Sequence, residues 1–263
     1  MTLPKPPKGN RAKTIITILV VLAIFVWAFA GISFNGIKVT AWQTVQSIVE
    51  GFTHPDWGYV WTGEGEDLIS LLVETLAIAI LGTIMSSLLS IPFGFWAARS
   101  RGQRKIVSSS GKFVSSAIRT FPDIILALLF IKMVGPGSFA GILALGVGAI
   151  GMLAKFYSES IEAMDHGPSE SVVAAGGNKG KVLFFATLPQ LVPEFLSYTL
   201  YRFEIAVRYA TILGLVGAGG IGTPLIFALN ARAWDRVGII LLGIIVMVTV
   251  IDIISGKLRQ RLV

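Results

Sequence analysis

ESVVAAGGNKGKVLFFATLP, Glu170 to Pro189, is a polar, glycine-broken stretch lying between two apolar runs of the chain. It carries no block of charge and is long for a plain connection. Gly167-Pro168 breaks the chain and then favours helix initiation, because proline lacks the N–H that a first helical turn leaves unpaired. Ser169 to Ala175 can form two turns, with Glu170 suiting the positive end of the helix dipole. Gly176 and Gly177 suit the left-handed backbone that ends a helix and reverses the chain. Asn178 can cap a second helix through Val182, Leu183, Phe184 and Phe185, which Pro189 is expected to stop. Two short helices at an angle, with apolar faces, suit a groove on a partner.

Outward from this hairpin the chain is strongly apolar. Of its 263 residues 54% are hydrophobic and 14% charged, with a mean hydropathy of +0.75. A soluble domain carries roughly a quarter charged residues, so the bilayer is the expected solvent. Six spans are predicted, at about residues 14–34, 68–98, 121–134, 139–156, 195–216 and 237–254. The fold class is therefore an all-α, polytopic membrane protein. The net charge of +7 flanks the spans, as topology signals do, and argues for contact with membrane lipid rather than nucleic acid. The absence of cysteine excludes disulfides and thiolate metal sites, and His54 and His166 lie far apart, so no metal or cofactor is expected.

Lysine and arginine alone set the orientation. Lys5, Lys8, Arg11 and Lys13 precede the first span, and Arg99, Arg101, Arg104, Lys105 and Lys112 follow the second. Lys179 and Lys181 lie in the hairpin, and Lys257, Arg259 and Arg261 follow the sixth span. The opposite side has Lys38, Arg232 and Arg236. Both termini and the hairpin are thus expected on the cytoplasmic side of the cell membrane. A rival reading makes the first span a signal peptide cleaved after Ala28-Phe29-Ala30, against which stands the length of the apolar run. Between Ile106 and Ile118, Val107, Val114 and Ile118 form one stripe and Ser108, Ser109, Ser115 and Ser116 the other. That pattern fits an interfacial helix on the cytoplasmic surface, or a plain loop.

The hairpin resembles the coupling loop of ABC importer permeases: Glu170, Gly176 six positions on, then Leu188-Pro189. Ser171 and Val172 replace the alanines usual after the glutamate, and Ala186 the usual branched residue. YRFEIAVRYATILGLVGAGGIG, Tyr201 to Gly222, looks like the fifth-span signature of phosphonate importer permeases. ETLAIAILGT (Glu74 to Thr83), RTFPD (Arg119 to Asp123), ESIE (Glu159 to Glu162) and IDIISGKLRQRL (Ile251 to Leu262) are similar to the same family. The likeness covers residues 68–263, with the hairpin at 168–189, and leaves 1–67 as a tail, first span and external loop. It implies a type I, methionine-permease-like core in a membrane permease for phosphonate or a related phosphorus oxyanion, working by alternating access. It also implies a second copy of the chain, a cytoplasmic ABC ATPase dimer and an extracytoplasmic phosphonate-binding protein. Glu170, Ser171, Ala174, Ala175, Gly176, Gly177, Leu188 and Pro189 would carry the coupling to the ATPase. The chain itself would do no bond chemistry. Open alternatives are an ABC permease for methionine or another small solute, and a secondary transporter coupled through Glu204.

Two glycine motifs invite nucleotide readings. Gly217-Ala218-Gly219-Gly220-Ile221-Gly222 satisfies G-x-G-x-x-G, but an apolar span precedes it where a strand is required. Backbone freedom and close packing at the end of the fifth span explain Gly217, Gly219, Gly220 and Gly222 better. Gly176 to Lys181 is one residue short of a P-loop, and Val182 stands where a hydroxyl is needed. The fifth span also carries Arg202, Glu204 and Arg208. Each ion near the bilayer centre costs roughly 2.5–3.5 kcal/mol, so each needs compensation. Glu204 and Arg208, four apart, can pair with each other as a structural brace, or Arg208 can ease an anion along the translocation pathway. Arg119 can pair with Asp123, Asp252 lies near Lys257, Lys132 can snorkel, and Glu74 is expected near the outer interface.

Overall fold

The computed structural model describes residues 11–31, 41–63, 65–99 and 104–262. Among these residues every regular element is helical. Residues 32–34 of the first predicted span lie outside them, as do Lys5, Lys8, Lys38 and Arg101 of the orientation argument. The chain divides into two compact units, Met1–Ser47 and Ile48–Val263.

The first unit contains α1 (Arg11–Ala30), whose side chains from Ala12 onward are all exposed. This helix is apolar all round, uncovered by its own unit, and long and apolar enough to cross a bilayer. A second helix, α2 (Ala41–Thr53), crosses the boundary between the units and has no counterpart in the predicted spans.

The second unit is built around α3 (Leu68–Ala97), which packs against α6 (Ser138–Gly148), α7 (Ile150–Ala163) and α10 (Leu188–Gly214). Around them lie α4 (Lys105–Arg119), α5 (Asp123–Val134), the hairpin helices α8 (Gly167–Ala174) and α9 (Lys179–Val182), the short α11 (Gly222–Ala231), and α12 (Trp234–Arg259). Ala79, Ala127, Ala144, Ala206, Ala210 and Ala218 are almost wholly buried in the main core. Small side chains let helix backbones approach closely, which is how packing replaces the hydrophobic effect inside a bilayer. Several buried hydroxyls of the bundle are satisfied locally. Thr83 and Ser90 donate back to Ala79 and Ser86 carbonyls at 2.7 and 2.6 Å. Ser87, Tyr157 and Thr199 form a hydroxyl triangle of 2.8–2.9 Å edges that ties α3, α7 and α10 together.

Among the described residues four helical stretches, α1, α3, α6 with α7, and α12, have the length and composition to cross a membrane alone. The predicted third span is different. Only α5 occupies it, and 12 residues cover about 18 Å of a hydrocarbon layer of about 30 Å. The rest is supplied by α4, joined to α5 at a bend of 77°. Pro122 causes the break, since it disfavours helical backbone at Phe121 and cannot donate.

That arrangement alters the reading of Ile106 to Ile118. A helix forms, but half of the serine stripe faces the protein: Ser108 and Ser115, with Gly111 between them, are buried against α3 and α7, and Ser108 Oγ donates to Ala97 O at 2.7 Å, while Ser109 and Ser116 are exposed. Ile106 and Phe113 point outward at 80% and 75% exposure. In lipid the apolar face is the outer one, and small polar residues make the close contact.

Candidate functional site

The hairpin is built as a tight reversal. Helix α8 starts at Gly167-Pro168 and ends in a paired closure, Gly177 N–H donating to Val172 O and Gly176 N–H to Val173 O, both at 2.9 Å. This two-bond cap needs a left-handed residue, which Gly176 supplies at φ +78°. Asn178 Oδ1 accepts from Lys181 N–H at 3.0 Å and starts α9. Gln190 fastens the hairpin to its base, accepting from Asp165 N–H and donating to Asp165 O, both at 3.2 Å.

Pro189 does not stop the second helix, contrary to the sequence expectation. Leu183–Thr187 forms a π turn, whose wider bonding makes room for the proline ring, and the chain runs on through Leu188-Pro189 into α10. The hairpin thus gathers Glu170, Ser171, Ala174, Ala175, Gly176, Gly177, Leu188 and Pro189 at one end of the bundle. Neither α8 nor α9 contains a buried residue. Val173, Phe184 and Phe185 are 59%, 65% and 74% exposed, an apolar surface of the sort that marks a docking site.

About 21 Å up α10 from Leu188, at helical rise, the three charged residues turn to separate partners. Glu204 and Arg208 do not pair with each other. Arg208 Nη2 donates to Asp252 Oδ2 at 2.5 Å, and Glu204 Oε1 lies 3.6 Å from Arg259 Nη2, because antiparallel α12 presents opposite charges to both. Arg202, 6% exposed at its side chain, lies 3.4 Å from Asp123 Oδ2 at the start of α5 and beside the ring of Tyr209. Asp123 therefore serves Arg202 rather than Arg119, and Asp252 serves Arg208 rather than Lys257. Arg202, Asp123 and Arg119 border a cavity of about 460 Å³ together with Lys155. The RTFPD motif was the sequence signal for Arg119 and Asp123. Their meeting with α10 was not legible, since it depends on the bend after Arg119.

At the far end of α10, Gly217, Gly219 and Gly220 adopt φ of +93°, +84° and +73°. Gly220 N–H donates to Glu74 Oε1 at 3.1 Å, Ile221 N–H to Thr75 Oγ1 at 2.8 Å, and Ser138 Oγ also donates to Glu74. Glu74 is thus a tie between α3, α6 and the glycine turn. Gly222 has ordinary φ and instead packs on Gly214, where a Cβ on Gly222 would meet Gly214 Cα at 2.7 Å. This turn lines a separate cavity of about 800 Å³. The hairpin, the charged belt and the glycine turn are three regions along one helix, not one site.

Residues 90–263 match the family of binding-protein-dependent transport system inner membrane components. The chain belongs to this family. It is a multi-pass membrane protein and a transport subunit, not an enzyme. It is 40% identical over 190 residues to the phosphite transport system permease protein of Stutzerimonas stutzeri, covering 72% of this chain and 69% of that one. It is 39% identical over 199 residues to the phosphate-import permease protein of Mycolicibacterium smegmatis, covering 76% of this chain but only 37% of the longer relative. In fold it matches the inward-facing MetNI methionine ABC transporter with a TM-score of 0.63 at 20% identity, over 74% of this chain and 96% of that one. The expected methionine-permease-like helical core is the fold found.

Proposed function

We propose that this chain is the transmembrane subunit of an ATP-driven ABC importer that moves phosphonate or a related phosphorus oxyanion across the cytoplasmic membrane. The observation that carries this is the uncovered hairpin, with Phe184 and Phe185 exposed, on a helix continuous with the charged α10. The phosphite and phosphate permeases among its relatives support the substrate class. The working assembly has two copies of this chain, a cytoplasmic ATPase dimer seated on the hairpins, and an external binding protein delivering the oxyanion at the glycine-turn end. Both termini and the hairpin face the cytoplasm.

Mechanically, closure of the ATPases on ATP displaces the hairpins. Because α9, the π turn and α10 are one run, that displacement reaches Arg202, Glu204 and Arg208 and reorients the bundle. Arg208, held by Asp252, braces α10 against α12 within the pathway wall, and the glycine turn lets the outer end repack. Reconstitution with its ATPase and binding protein in proteoliposomes tests the reading. ATP-dependent uptake of phosphite, phosphate or methylphosphonate is expected, and it ends when the ATPase is inactivated. Uptake that persists without ATP hydrolysis, or of methionine and no phosphorus oxyanion, would overturn it.

A further inference from the structure

The cavity beside Arg202 is placed and charged like a ligand site. It opens where α4 and α5 break by 77°, and α5 begins about 18 Å from its far end, roughly halfway through a bilayer. Broken helices at that depth are where membrane transporters place substrate sites, with a half-helix N-terminus toward an anion. No side chain caps the start of α5.

Charge gives a second, independent indication. Arg119, Lys155 and Arg202 border the cavity against the single carboxylate of Asp123, three cations less one anion. The Arg119 side chain makes no hydrogen bond or ion pair among the described residues. Lys155 has only a half-exposed contact with Glu159 at 3.6 Å, which is weak. Arg202 is buried, and its 3.4 Å contact with Asp123 occupies one of five donors. The backbone is shaped to hold these groups: a Cβ on Gly151 would lie 2.9 Å from Arg119 N, and one on Gly148 3.2 Å from Asp123 Cγ.

We infer that this cavity is a transit site for a tetrahedral phosphorus oxyanion, gripped by the Arg119 and Arg202 guanidinium groups with Lys155 completing the charge. The net +2 matches a dianion, and planar guanidinium forks suit its oxygens. Asp123 limits the grip on Arg202, so the ion can leave, as conduction requires. The substrate class rests on the function proposed above; the site rests on the geometry of this cavity.

The test is equilibrium binding of radiolabelled inorganic phosphate to the purified permease–ATPase complex, without binding protein, in phosphatidylcholine nanodiscs. Saturable binding is expected, weakened about tenfold or more by Arg119→Gln and less by Arg119→Lys, with Asp123→Asn tightening it. Arg119 is exposed and unpaired, so its variants assemble even where an Arg202 variant does not. Absent phosphate binding, or binding unchanged in both Arg119→Gln and Lys155→Gln, would overturn the site. So would an anionic phospholipid that co-purifies on these residues while phosphate fails to bind, since the ligand would then be a headgroup. Wild-type uptake in proteoliposomes is measured alongside. Uptake of phosphorus oxyanions with no cavity effect sinks the site alone, whereas lack of uptake with intact phosphate binding sinks the transport reading alone.

Discussion

Gly176 sits at φ +78° with nothing near its missing Cβ, so backbone energy alone decides what is tolerated there. Gly176→Asn should keep ATP-driven uptake and ATPase co-purification close to wild type, because asparagine visits the left-handed region. Gly176→Val should cost roughly 1–2 kcal/mol in the hairpin turn and reduce both. Conformation at this position was readable from sequence, since a glycine pair ahead of a capping asparagine has few other uses. The ion pairs of α10 were not readable, because four-residue spacing brings Glu204 and Arg208 together only when nothing better lies across the helix interface. Arg208→Ala strands the Asp252 carboxylate, so it should lower the melting temperature of the complex. The double variant with Asp252→Ala should recover part of that loss, by roughly 0.5 kcal/mol or more in a double-mutant cycle. Asp67, which caps α3 and accepts from Ser70 N–H at 2.9 Å, adds a pH test. The Ser70 hydroxyl and N–H groups, with Gly63 and Thr62 N–H, outweigh burial and hold its carboxyl below the ordinary range. A lowered folded value means stabilisation that is present at neutral pH and lost as pH falls through that value. Wild type should therefore melt above Asp67→Asn at pH 7, and the gap should close on acidification.

At the level of elements, α4 is the instructive case. Its serines were visible in the sequence, but that Ser108 and Ser115 turn to the protein was not, because lipid inverts the rule that applies in water. Gly111 lies against the end of α3, where a Cβ would meet Ala97 N at 2.8 Å. Gly111→Leu should push α4 away at a cost of about 1–3 kcal/mol, whereas Phe113→Leu on the outer face should be nearly silent. Thermal unfolding in nanodiscs of fixed composition compares the two. Helix α11 and helix α2 escaped the sequence reading because neither is long enough to register as a span. The break between α4 and α5 was marked by Pro122, yet its angle depends on Gly151 admitting Arg119, a tertiary contact with no local signature.

For the whole molecule, the positions of the long helices followed from hydropathy. The chain contains no cysteine, so single introduced thiols report topology without background. Asn178→Cys in the hairpin and Asn230→Cys at the end of α11 should react with a membrane-impermeant maleimide from opposite sides, Asn178 from the cytoplasm. Labelling of both from one side would contradict the arrangement. The π turn between α9 and α10 has a wider consequence. It sets the rotational phase between the handle and the shaft, much as a keyway fixes a crank on its axle. If the same five residues, Leu183–Thr187, were wound as ordinary α-helix, the handle would turn by roughly 90°. A partner seated on the hairpin would then still grip and still push, but along a heading that α10 no longer carries into the bundle.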